Sequence, residues 1–149
     1  MPISDTVGTY SGQTALGYAG MIAESQMIKD VASKAVTTAV VPFGRAVGRD
    51  GTSPNTVKLG GTGFEGITVA DKTRTDDQYA IGEMAGVLRK GTIWVVADGA
   101  VTTADTVTFT VATGVIGAKA VDAGVVTAIA GAKFETAGAN GDLVRVYLP

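Results

Sequence analysis

Carboxylates are the only side chains here suited to proton transfer near neutral pH: the 149 residues include 14 Asp and Glu but no histidine or cysteine. That excludes an imidazole base, a thiolate nucleophile, a disulfide framework and the usual zinc ligand sets. Two carboxyls roughly 5 to 9.5 Å apart could hydrolyse a glycoside, and the candidate pairs are Asp76 with Asp77 and Glu65 with Asp71. The run Asp71-Lys72-Thr73-Arg74-Thr75-Asp76-Asp77 mixes both signs, however, and reads as a solvated loop between strands. Gly60-Gly61-Thr62-Gly63 lacks the spacing of a phosphate loop and is predicted to be a turn; residues 114–117 likewise fail the dinucleotide pattern. No calcium-loop motif is present. The 12 basic residues are scattered apart from Arg89-Lys90 and the nearby Arg45 and Arg49, so no basic stripe for nucleic acid forms in sequence. The expectation is a chain with no catalytic residues, no metal, no cofactor, no nucleic-acid partner and no small-molecule substrate.

The elements that would position any such groups are strands. Gly alone accounts for 21 residues, Val and Thr are comparably abundant, and charged residues make up only 17%. Val and Thr suit a pleated, half-buried surface, whereas so many glycines would destabilise helices and instead supply turns and close backbone contacts. With 46% hydrophobic residues and a net charge of −2, the chain has the opposite balance to a disordered one. A sparsely charged outside suggests coverage by partners.

Strands are predicted near 35–41, 44–47, 56–59, 64–70, 84–89, 92–96, 106–111, 125–128, 132–134 and 143–148. Asp50-Gly51, Gly60-Gly61, Asp98-Gly99, Gly138 and Asn140-Gly141 mark chain reversals. Arg89-Lys90-Gly91 is predicted to be a charged hairpin turn. Alternation is clearest at 106–111, where Val107, Phe109 and Val111 share a face opposite the threonines, and recurs at 143–148, a strand expected to close the barrel. Strands of this length and spacing predict an all-β domain over residues 35–149, a small barrel or sandwich, jelly-roll-like or related.

Residues 1–34 read differently. Isolated large apolar residues stand among small polar ones and sustain neither a 3.6 nor a two-residue period. This predicts an extended N-terminal arm, with a short helix near 21–33 as the competing reading. Fully stretched, it could reach on the order of 100 Å. No basic residue precedes Lys29 and no apolar run reaches signal-peptide or membrane-span length, so a soluble chain is expected, without membrane contact.

Certain segments carry a resemblance: Val41-Pro42-Phe43-Gly44-Arg45-Ala46-Val47, Phe64-Glu65-Gly66-Ile67-Thr68-Val69, the stretch from Tyr79-Ala80-Ile81-Gly82 through Gly91-Thr92-Ile93-Trp94-Val95, and the ending from Gly131-Ala132-Lys133-Phe134-Glu135 through Val144-Arg145-Val146-Tyr147-Leu148. In order and spacing these resemble the capsid cement, or decoration, proteins of tailed bacteriophages over most of residues 41–148, and Gly17-Tyr18-Ala19-Gly20-Met21-Ile22-Ala23 is similar to that family's Gly-rich opening.

The resemblance implies a structural protein on the outer surface of the virion head, bridging major capsid protein subunits after the shell has expanded. It also implies a homo-oligomer, trimer or dimer. Ile3, Tyr10, Leu16, Tyr18, Met21 and Ile22 are the arm side chains expected to insert into neighbours, although Met21 and Ile22 could equally fold back onto their own barrel. The rival expectation, a carbohydrate-binding or adhesive β-module of a phage tail or cell surface, would call for clustered exposed aromatics, and the nine aromatics show no cluster in sequence.

Overall fold

The computed structural model describes residues 17–23 and 29–149. Eleven strands follow in chain order: β1 (Asp30–Val36), β2 (Val41–Pro42), β3 (Ala46–Arg49), β4 (Thr56–Leu59), β5 (Phe64–Thr68), β6 (Gln78–Tyr79), β7 (Met84–Asp98), β8 (Thr106–Thr110), β9 (Ile116–Gly117), β10 (Val126–Phe134) and β11 (Leu143–Leu148). The described residues contain no helix. The helix considered near 21–33 does not form at 30–33, because β1 begins there and pairs antiparallel with β7 from Asp30 opposite Lys90.

Nine strands run in the order β1-β4-β3-β5-β7-β11-β10-β8-β9, with further pairings of β1 and β9 to β7. Those two pairings close the sheet into two rings. One consists of β1, β4, β3, β5 and the first half of β7; the other consists of the second half of β7 with β11, β10, β8 and β9. Closure gives each ring strand a neighbour on both sides along part of its length, which shortens the open sheet edges.

The shared strand β7 is 15 residues long. The turn expected at Arg89-Lys90-Gly91 is instead the handover point within it. On one side of the handover Lys90 opposes Asp30 of β1, and on the other Gly91 opposes Leu148 of β11. A ladder shift at Asp30/Val31 and a φ of +126° at Gly91 accommodate the passage without breaking the strand. Likewise the strands expected at 125–128 and 132–134 are one strand, β10, irregular between Ala128 and Lys133, with Gly131 at φ +75°. The C-terminal strand β11 sits between β7 and β10; the ring closes through the short parallel pairing of β9 with β7. The first strand lies at Asp30–Val36 rather than 35–41, crossing the arm–domain boundary drawn at 34/35.

Each ring has an apolar filling. Val36, Val41, Phe43, Val47, Val57, Tyr79, Ala85 and Val87 form one cluster. The larger cluster includes Ile93, Val95, Val107, Phe109, Ile116, Phe134, Val144, Val146 and Leu148, joined by Ala46, Ile67 and Leu88 from strands of the first ring. The two rings are therefore packed against each other. Backbone bonds tie them further: Ala46 N–H donates to Gly114 O at 2.8 Å and Gly61 N–H to Val111 O at 2.9 Å. Gly60 makes this approach feasible, since a Cβ there would stand 1.9 Å from Val111 O.

Candidate interaction surface

Of the carboxylates weighed for catalysis, Glu65, Asp71 and Asp76 make side-chain contacts within the protein. Glu65 Oε1 accepts from Arg49 Nε at 2.8 Å. Asp71 Oδ1 accepts from the Thr73 hydroxyl at 2.7 Å and its amide at 3.0 Å, which holds the Asp71 carboxyl below its usual range. Arg74 pairs with Glu83, donates from Nε to Gln78 O at 2.8 Å, and lies 3.8 Å from Asp76. The Arg74 hydrogen bond keeps Glu83 low, helped by the Ala80 amide. These contacts fix the loop that follows β5. No group of three or more potential metal-ligating side chains occurs among the described residues.

The N-terminal segment 17–23 lies on the molecule's own sheet. Gly20 N–H donates to Trp94 O at 2.8 Å, Trp94 N–H to Met21 O at 2.9 Å and Ala23 N–H to Thr92 O at 3.0 Å. Ile22 thereby opposes Ile93 in an antiparallel bridge, on the edge of β7 that β11 leaves free. The segment is also tied to the first ring through Ala70 N–H donating to Gly20 O at 2.8 Å. Beneath it lies Trp94, only 8% exposed, whose Nε1 has no hydrogen-bond partner among the described residues. Its cross-strand neighbour Arg145 on β11 places a guanidinium 6.0 Å from the ring centroid.

Of the six arm residues singled out in the sequence, Ile3, Tyr10 and Leu16 lie outside the described residues. Tyr18 is exposed, with Lys72 Nζ 4.0 Å from its ring centroid. Met21 and Ile22 are half-buried, and Ile22 packs on the larger core cluster. The structure brings Tyr18 together with residues that periodicity did not single out as a site. It lines a cleft of about 350 Å³ with Phe43, Arg45, Lys72, Val96 and Val115. Phe43 and Arg45 were visible as part of a motif, but nothing local linked them to Lys72, Val96 or Val115, which arrive from three other parts of the chain.

Other apolar side chains reach solvent around the first ring at Val31, Val40, Ile81 and Met84, and around the second at Val121 and Val125.

Residues 7–148 match the sequence pattern of a family described as structural cement protein (E217 gp24/Pam3 gp6). Among solved structures, a chain from the capsid of Myoviridae phage XM1 is similar, with a TM-score of 0.71, 16% identity, and coverage of 91% of this chain and 92% of that one. The head fiber gp8.5 N base of bacteriophage phi29 is similar at a TM-score of 0.51 and 12% identity, covering 82% of this chain and 95% of that one. At these identities the likeness is one of fold. No curated protein matches.

Proposed function

The chain belongs to the structural cement protein family, whose place is the phage capsid, and from that premise we propose that it coats the outer face of the expanded head and bridges neighbouring major capsid protein subunits. The family match across nearly the whole chain is the observation that carries this reading. The two closed rings support it, because a doubly closed sheet resists deformation without needing a ligand. A homo-trimer or homo-dimer would multiply several modest contacts through effective concentration.

Within the arm, the reading assigns the outward reach to Ile3, Tyr10 and Leu16, with Tyr18 at its base. Met21 and Ile22 root the arm, since both belong to the segment hydrogen-bonded along β7. The carbohydrate-module alternative is the weaker one. Tyr18 is the one exposed aromatic side chain among the described residues, and a single ring makes no sugar platform.

The test is to add purified full-length protein to expanded, undecorated heads and to measure binding and rupture temperature. Saturable binding with a higher rupture temperature is expected. Absence of saturable binding would overturn the proposal.

A further inference from the structure

We infer that the cleft beside Tyr18 is a docking pocket for a segment of the major capsid protein in which an aliphatic side chain stands next to a carboxylate. This rests on the cement reading above. The first support is an unusual arginine. Arg49, Arg74, Arg89 and Arg145 each lie within ion-pair distance of a carboxylate, whereas Arg45 has no such partner among the described residues. Its guanidinium is oriented by one solvent-exposed hydrogen bond, from Nη1 to Thr113 O at 2.9 Å. A cation on a half-buried residue, aimed by a backbone carbonyl and without a counter-ion among the described residues, is prepared to receive one.

The second support is the company Arg45 keeps. Lys72 supplies a second cation to the cleft, held over the Tyr18 ring. The lone carboxylate among the lining residues, Asp77, lies within ion-pair distance of neither; its backbone carbonyl is engaged by the Phe43 amide at 3.1 Å. In a chain of net charge −2 this is a locally positive recess. It favours an acidic occupant by charge complementarity.

Thirdly, the recess is apolar where the cations are not. Phe43 lies in its lining at 6% exposure, and Val96 contributes a side chain that is 44% exposed, on the face of β7 opposite the buried Val95 and Ala97. Such a valine is what an aliphatic side chain would cover. Removing water from that contact also strengthens the neighbouring charge-assisted bonds. The cleft adjoins the root of the arm, so a shell contact here continues the one the arm would make.

The test uses full-length protein and expanded, undecorated heads. Lys72→Gln, at an exposed position, and Arg45→Gln, checked for an unchanged circular dichroism spectrum, should each weaken binding on the order of tenfold, and salt should weaken the wild type more than either variant. Lys133→Gln, outside the cleft, should bind like wild type. A photo-crosslinking p-benzoylphenylalanine in place of Val96 should form its adduct with an acidic stretch of the major capsid protein, identified by mass spectrometry. If the wild type binds but the Gln variants bind equally well, or the adduct joins two copies of this chain, the pocket assignment is overturned while the cement reading stands. If the wild type itself does not bind, both fall.

Discussion

Gly17 lies against the indole of Trp94 so closely that a Cβ at residue 17 would stand 2.7 Å from Trp94 Cδ1. The absence of a side chain is what lets segment 17–23 seal the tryptophan, so Gly17→Ala should lift it. Overpacking of this kind costs about 1–3 kcal/mol. Faster amide exchange at Gly20 and Ala23 and red-shifted Trp94 emission are expected. Unchanged exchange would show that the segment is held elsewhere.

Two glycines with similar backbone angles should respond very differently to alanine. Gly51 has φ +64° and open space around its missing Cβ, so Gly51→Ala should cost only the left-handed strain of about 1–2 kcal/mol. Gly60 has φ +67° and faces Val111 O, where a Cβ cannot fit. Gly60→Ala should therefore separate the rings or prevent folding, and urea denaturation of the two variants side by side would show whether it does.

Thr68 is fully buried; its hydroxyl donates to Pro42 O at 2.8 Å, with Arg45 O at 3.4 Å as a second acceptor, and accepts from the Arg45 amide at 3.1 Å. Thr68→Val keeps the shape but removes the hydroxyl's bonds to Pro42 O and the Arg45 amide, at a cost of about 1–3 kcal/mol. Thr68→Ser should retain most of the stability. Equal losses in the two variants by thermal unfolding would instead assign the effect to packing.

Acid sensitivity should report on Glu83. Its folded pKa is depressed by the Arg74 hydrogen bond, so its stabilising contribution is present above the ordinary value of 4.5 and disappears as pH falls through the lower, folded value. Asp71 acts in the same direction through the Thr73 hydroxyl and amide. Glu83→Gln should lower the melting temperature near neutral pH and flatten its decline as the pH falls below the ordinary value of 4.5. An acid limb as steep as that of the wild type would exclude this pair as a contributor.

Much of the β-structure was legible because local pattern and final environment agree. Val107 and Phe109 alternate with threonines in the text and are buried in β8, and Val144, Val146 and Leu148 do the same in β11. The reading failed where a turn signal sat inside a strand. Arg89-Lys90-Gly91 has the composition of a hairpin tip, yet it stays extended because β1 supports one side of the handover and β11 the other. The strands expected at 125–128 and 132–134 likewise run together as β10, through Gly131. The two-residue strands β2, β6 and β9 are too short to show any period at all.

The sequence by itself determined the strand-rich character, the lack of histidine and cysteine chemistry, and the motifs that resemble the cement family, because composition and two-residue alternation are local properties. Only the tertiary structure decided that one strand serves two closed rings and that Tyr18, Arg45, Lys72 and Val96 meet at one recess. Those outcomes depend on which distant strands pair to close a ring. Ring closure is settled by the packing of the whole core, and no window of neighbouring residues contains it.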